Sequence, residues 1–311
     1  MFCEHSFYIK TRTKAQKLIQ AGFWSGINQN KFNRWCDEFK TPEEEVLLAF
    51  LLDSLVFRSQ NQISGLIHQM IDVNLSSMID WKSLCDRSNK YETLFELLSD
   101  KYPDNSFKNL ALVPVIKIND PPTKSGPLLA RIIHKHKINS KFMCWPWDEK
   151  RLHNENLRVV IFFDDFVGSG DQFTKFFKYF SNVKAFGNPE KVQYLYVAFS
   201  GTQEGIDYIE KHTNSQVKVC VTETIKDSNK FFSGFPIRYK KLEALIDQPI
   251  DEYRDKLKST YTSFMHSRNI HNKILGYNDL ELTHVFSHGT PNGTLPIFWC
   301  TNPSYSAPFT R

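Results

Sequence analysis

The sequence predicts an α/β fold: a parallel sheet flanked by helices, with an N-terminal helical region and a C-terminal β-hairpin extension. Three observations carry that expectation. Residues 1–108 follow helical periodicity. From about residue 109, short apolar runs alternate with helical stretches of roughly ten residues, as βαβ units require. Near the end, Pro291-Asn292-Gly293 forms a turn signal between two apolar segments. The chain therefore reads as a helical region over 1–108 and an α/β domain with helical and hairpin additions over 109–311. Its 311 residues suit such a two-part division at about 150 residues per domain.

In chain order, Thr41-Pro42-Glu43-Glu44 starts a helix, with Thr41 as N-cap, Pro42 in the first turn and Glu44 completing a capping box. Val46 to Phe57 is apolar nearly all round and predicts a buried helix. Ser59 caps the next, where Ile63, Leu66, Ile67, Met70 and Ile71 form a single stripe at helical spacing, the pattern of core packing. Tyr91 to Leu98 predicts another short helix. Strands are expected at Val113–Ile118, Leu157–Phe163, Val192–Phe199 and Val217–Thr222, with helices at Gly126–His136, Asp171–Phe180 and Gln203–Lys211 between them. Two more helices follow at 239–247 and 250–266, and strands at Glu281–His288 and Thr294–Trp299 close the chain as a hairpin. The right-handed crossover rule puts the carboxyl ends of the parallel strands along one edge, where ligand sites of α/β folds lie.

Composition excludes several classes. Hydrophobic residues make up 41% and aromatics 14%, with 26 Phe, so the chain can bury a large core and is neither disordered nor fibrous. The longest apolar run, Val46 to Leu52, is far short of the roughly 20 residues of a membrane span. Cysteines 3, 36, 85, 144, 220 and 300 show no metal-finger or redox spacing, and no secretory leader opens the chain, which predicts a soluble cytoplasmic protein with reduced thiols and no membrane partner. Cys220 and Cys300 are expected to be packing residues. His134 and His136 are two apart and would diverge on a helix. His284 and His288 fit one face of a strand but lack a third ligand, so no metal is assigned to them.

The chemistry concentrates in Arg158-Val159-Val160-Ile161-Phe162-Phe163-Asp164-Asp165-Phe166-Val167-Gly168-Ser169-Gly170-Asp171-Gln172. An apolar strand delivers two carboxylates to its end, and a small-residue loop leads into a helix. Carboxylates are costly to bury, so an adjacent pair at a strand end belongs at a polar, ligand-facing edge. Gly168 and Gly170 let backbone N–H groups approach an anion, and the first turn of the following helix offers free N–H donors and a positive dipole end. The arrangement suits a sugar phosphate. A Walker loop is absent, and the dinucleotide fingerprint fails because Phe173 stands where its third Gly belongs and the acids precede the loop.

Val160 to Gln172 resembles the phosphoribosyl-diphosphate (PRPP) motif of type I phosphoribosyltransferases, and the order of elements after it is similar to that fold. The resemblance implies a phosphoribosyltransferase-like sheet. It assigns the ribose hydroxyls, catalysis and Mg²⁺ to Asp164 and Asp165, and the 5′-phosphate to Gly168, Ser169, Gly170, Asp171 and Gln172. Gln172 departs from the family, which usually places Thr there, and Asp171 adds a negative charge beside it. A closer resemblance is to the PRTase-CE proteins of bacterial conflict, or anti-phage, systems, some of them retron-like. It spans most of the chain and rests on Phe162 to Gly170, on Lys124-Ser125-Gly126, and on Gly276-Tyr277 through Pro291 to Trp299.

That resemblance implies a defence effector that binds PRPP or a related ribose phosphate or nucleotide with Mg²⁺. The other reading is a non-catalytic module that senses a nucleotide or docks a nucleoprotein partner, such as a reverse transcriptase with its RNA or DNA, or another defence-system protein. A third is a toxin-like effector held inactive by a partner.

Lys124, Ser125 and Gly126 open the helix that follows the first strand. Either an N-capped turn or a diphosphate-binding loop fits them. The formal net charge of the whole chain is only +5, yet residues 121–147 carry Lys124, Arg131, Lys135, Lys137 and Lys141 with no acid. This segment suits a polyphosphate, RNA or DNA. Phe142, Trp145 and Trp147 beside it fit packing better than base stacking. The segment is expected near the carboxyl-end cleft, facing phosphate; on the far side it would be a partner surface.

Overall fold

The computed structural model describes residues 3–85, 88–103, 105–121, 124–182 and 191–311. In chain order its strands are β1 (Val56–Arg58), β2 (Leu110–Pro114), β3 (Val159–Val167), β4 (Gln193–Thr202), β5 (Val217–Ile225), β6 (His284–Phe286), β7 (Thr301–Asn302) and β8 (Tyr305–Ser306). Contacts divide the chain into two compact units, Met1–Gln62 with Lys226–Arg311, and Ile63–Ile225. The change of period near residue 109 falls inside the second unit, where the π-helical turn Met70–Leu75 packs on β4 and β5. No helix among the described residues is long and apolar enough to cross a membrane.

The first unit is built on helices Glu4–Gln20, Gln29–Cys36, Pro42–Ser54 and Ile250–Ser267. The capping box forms as expected: Glu44 N–H donates to Thr41 Oγ1 (3.2 Å) and Thr41 N–H to Glu44 Oε2 (3.3 Å). Every residue from Val46 to Leu52 is buried. This helix ends before Phe57, because Val56–Arg58 is extended as β1 and pairs in parallel with β6 in the register Val56↔His284, Phe57↔Val285, Arg58↔Phe286. The hairpin expected over residues 281–299 therefore does not form. Its first half is claimed by a strand from the other end of the sequence, and its second half contains Pro296, which lacks a ladder N–H and opens a 3₁₀ turn, Pro296–Phe298. The C-terminal antiparallel hairpin is β7–β8. The helix expected at 239–247 is reduced to single turns, Phe235–Arg238 and Lys240–Leu242, separated at Tyr239, whose φ of −109° and ψ of 25° leave the helical region and whose hydroxyl donates to Asp53 Oδ2 (3.0 Å).

Glu281 ties this unit together from a site only 3% exposed. Its Oε2 accepts from Phe232 N–H (3.1 Å), Ser233 N–H (2.7 Å) and Ser233 Oγ (2.8 Å), and Lys258 Nζ lies 3.6 Å from Oε1. Truncation would strand buried donors, so Glu281→Ala is expected to lower the unfolding free energy by about 3 kcal/mol in urea titration. Glu281→Gln, which keeps an acceptor, loses less.

The second unit holds a parallel sheet, β2-β3-β4-β5. On one face Phe162 of β3 meets Phe173, Phe176, Phe177 and Phe180 of the helix Asp171–Asn182 at ring separations of 5.0–6.0 Å. The stripe Ile63, Leu66, Ile67, Met70 and Ile71 is buried as expected, and the helix carrying it is capped by Ser59 and Gln62. Tyr91–Leu98 becomes the helix Leu94–Ser99, set by its own capping box between Thr93 and Glu96. β2 lies three residues earlier than expected, because the chain turns after Pro114: Ile116 N–H donates back to Pro114 O (3.0 Å). β3 runs further than expected, through both acids to Val167.

Met143 adds a parallel bridge to Leu112 on β2, and Cys144 N–H donates to Leu112 O (2.9 Å). The spatial order is thus Met143, β2, β3, β4, β5. From β2 the chain crosses to one edge; from β3 it crosses toward the other. With right-handed crossovers, the helices Ser125–Lys135 and Asp171–Asn182 lie on opposite faces, and the gap between the carboxyl ends of β2 and β3 is the topological switch point.

Candidate functional site

Asp164 and Asp165 lie near the carboxyl end of β3, two to three residues before its last, at this switch point. Adjacent strand residues point to opposite faces, and the two carboxylates meet different surroundings: Asp164 is 4% exposed, whereas Asp165 is half-buried. Asp164 is heavily engaged. Its Oδ1 accepts from Ser125 Oγ (3.2 Å) and Asp165 N–H (3.0 Å); its Oδ2 accepts from Gln172 Nε2 (3.2 Å) and from the Tyr196 hydroxyl (3.4 Å). Burial, then the charge of Asp165, push its pKa well above the usual carboxylate range. Asp164 is therefore a carboxyl that keeps its proton through conditions in which an exposed Asp is ionised.

The Ser125–Asp164 bond joins two motifs 39 residues apart in sequence. It brings the start of the helix after β2 to the end of β3. Gly126 is buried, and a Cβ there would lie 3.3 Å from Ile116 Cβ and from Val115 O, so this glycine allows the helix to seat against the strand end. Lys124 is the half-buried N-cap residue, its N–H bound to Pro121 O (3.0 Å). Pro122 and Thr123, part of the acid-free segment, lie outside the described residues.

The loop Gly168-Ser169-Gly170 then turns into the helix Asp171–Asn182. Gly170 has φ +82°, and a Cβ on it would meet Gly205 O at 2.8 Å, so both the conformation and the space call for glycine. Thr174 N–H and Oγ1 both donate to Gly170 O (3.0 Å each). From the end of β4, Thr202 Oγ1 donates to Gly168 O (2.6 Å) and accepts from Gly205 N–H (3.0 Å), so one hydroxyl fixes the loop and caps the next helix, Gln203–His212. Asp171 N–H lies 3.4 Å from Ser169 Oγ, and the Tyr208 hydroxyl hydrogen bonds the Asp171 carboxylate.

Three contributors carry weaker sequence signals. Tyr196 is buried on β4, its ring stacked on Phe173 at 3.8 Å and 9°, which aims its hydroxyl at Asp164. Thr202-Gln203-Glu204-Gly205 is an N-cap pattern at a strand–helix junction, readable once the junction is located. Ser200, fully buried at the end of β4, donates to Glu223 Oε2 on β5 (2.9 Å).

The acid-free basic segment does not gather at this edge. Only Lys124 stands at the carboxyl end; the helix Ser125–Lys135 runs away from it for about 16 Å. Lys141 lies against Phe107, which precedes the start of β2 at the opposite edge of the sheet. The reason is the antiparallel course of a crossover helix, which moves a charge cluster spread along it from one edge to the other.

A search of the curated proteins gave no match to this chain. The PRTase-CE family model matches residues 32–311, which takes in the acid pair, the glycine loop, the Lys124 turn and the C-terminal segment. The chain belongs to the PRTase-CE family, a phosphoribosyltransferase-like family.

Proposed function

We propose that the switch-point crevice binds PRPP or a related ribose phosphate or nucleotide together with Mg²⁺, and that the protein is an effector in bacterial anti-phage defence. The Ser125–Asp164 bond carries the ligand reading, because it sets a diphosphate-type loop and a phosphate-type loop on either side of the acid pair. The defence role rests on the family resemblance alone.

The two acids divide the work. Asp164, with both oxygens already accepting, braces Ser125, Gln172 and Tyr196. Asp165, half-buried and adjacent to it on β3, orients the ribose hydroxyls. The backbone N–H groups of residues 168–171 and the helix start hold the 5′-phosphate. Ser125 and Lys124 stand on the diphosphate side. Mg²⁺ would be held mainly by substrate phosphates and water with one or two carboxylates, and Asp165 would supply a carboxylate. The ion would neutralise diphosphate charge. In a transfer, the C1–O bond to diphosphate breaks with the electron pair leaving on oxygen, the acceptor forms the new bond to C1, and the acceptor's proton is released. Positioning and fixed charges contribute most of the acceleration.

Calorimetry with Mg²⁺–PRPP and with nucleotides tests binding. Wild type is expected to bind, and Asp165→Asn to weaken binding at least tenfold. An unchanged affinity in Asp165→Asn, or no binding by wild type, overturns the proposal. Gln172 favours a second reading, a sensor without turnover, since its amide sits on Asp164 where a family Thr would serve the phosphate. Binding without diphosphate release in the presence of nucleobases, nucleotides and phage-infected extract supports the sensor; release abolished by Asp164→Ala supports the enzyme.

A further inference from the structure

We propose that the outer edge of the sheet beside β2 is a binding surface for single-stranded nucleic acid, separate from the switch-point crevice. The observation behind it is a stacked aromatic pair inside the acid-free stretch. Trp145 and Trp147 lie with ring centroids 5.2 Å apart and planes 6° from parallel, and Trp145 is 44% exposed. An indole held open to solvent by a stacked neighbour is costly to leave bare, and it offers a preformed π-face on which a base can continue the stack.

Cations lead up to that face. Lys141 and Lys108, both exposed, place their ammonium groups 5.5 and 6.0 Å from the centroid of one ring, Phe107. Lys141 stands in the 3₁₀ turn Ser140–Phe142, and the chain leads from it through Met143, which bridges Leu112, to Trp145. Asn139 Nδ2 donates to Asp100 O (2.7 Å) and Lys101 O (3.4 Å), which brings exposed Lys101 and 72%-exposed Tyr102 near the residue that opens the turn Ser140–Phe142. Two nearby acids are engaged: Asp100 is bound by Lys90 and the Tyr91 hydroxyl (2.7 Å), and Asp148 caps the turn Glu149–Leu152 through Arg151 N–H (3.2 Å), while exposed Glu149 lies beyond the tryptophan pair.

Spaced cations with an aromatic platform match a phosphate backbone that presents bases one at a time. An acidic peptide would use the lysines but has nothing to place on the indole, and a duplex hides its base faces. The surface is independent of Asp165, so its failure leaves the crevice reading untouched.

The test is fluorescence anisotropy of the full chain with labelled dT20 and rU20 at 50 and 200 mM KCl. Saturable binding is expected, weakened several-fold or more by the added salt through counterion release. Lys108→Glu with Lys141→Glu is expected to weaken binding at least tenfold and to flatten the salt dependence. Trp145→Ala is expected to weaken it about tenfold at unchanged salt dependence. Asp165→Asn should bind as wild type does. Thermal melts of each variant separate lost binding from lost folding, and wild-type indole fluorescence quenched by dT20 gives a readout that needs no variant. The proposal is overturned by absence of binding at 50 mM KCl. It is equally overturned by Trp145→Ala binding like wild type, by a duplex of equal length binding more tightly, or by poly-L-glutamate competing as well as dT20 does.

Discussion

Gly205→Ala is expected to abolish ligand binding at the switch-point crevice and to destabilise the protein by more than about 3 kcal/mol. Gly205 is the third residue of the helix Gln203–His212, and a Cβ built on it would stand 1.9 Å from the carbonyl oxygen of Gly168 and 3.0 Å from Thr202 Oγ1. The obstacle is backbone, so no side-chain rotation relieves it; the Gly168 carbonyl would have to retreat by roughly an ångström. That retreat breaks the Thr202–Gly168 hydrogen bond (2.6 Å), the tie that fixes the loop proposed to hold phosphate. Binding and stability therefore fall together, to be read by calorimetry with Mg²⁺–PRPP and by urea denaturation. Gly65→Ala is the matched control. It lies exposed in the helix Gln60–Gln69 with no atom within 4 Å of a built Cβ, and alanine there is expected to stabilise by about 0.5–1 kcal/mol. Wild-type affinity and stability in Gly205→Ala would show that the loop is not held from β4.

The same contact explains where the sequence is legible and where it stops. Asp164, Asp165 and the Gly168–Gly170 loop are contiguous, and a strand end followed by glycines and a helix start is a local pattern. Local caps are equally visible: Thr41 with Glu44 and Thr93 with Glu96 form as their spacing requires. What the pattern cannot contain is the second layer. Tyr196, Thr202 and Gly205 act on the site from the neighbouring strand, and strand neighbours are set by register, which apolar runs such as Leu110 to Ile116 leave free to slide. The slip in β2 has this origin. The C-terminal hairpin expected over 281–299 failed for a related reason, since β6 pairs with a segment more than 220 residues earlier and no short-range signal encodes that partner. The basic segment is a third case: its composition was plain, but its position depended on the course of the helix Ser125–Lys135.

That non-local pairing places a titratable group where it should govern stability in acid. His284 stands opposite Val56 in the β1–β6 pair and is 6% exposed. Burial first, and then the positive charges of Arg58 and Arg238, hold its imidazole neutral down to a pKa of about 3. In the unfolded chain an imidazole titrates near 6.5. Between those values the unfolded state binds a proton that the folded state refuses, so stability rises with pH in this window and falls as pH drops below 6.5. Each pH unit removes about 1.4 kcal/mol, so His284 alone is expected to cost roughly 2 kcal/mol at pH 5 and over 3 kcal/mol at pH 4. His284→Gln, neutral at every pH, should lack this slope, and the difference between the two urea-denaturation profiles isolates the group from the carboxylates that titrate alongside it. An imidazole NMR titration gives the same answer without a variant: His284 is expected to keep its neutral shifts to about pH 4. Superimposed wild-type and His284→Gln stability profiles between pH 7 and 4, or an imidazole that protonates near 6.5, would mean that the β1–β6 pair does not enclose His284 as described.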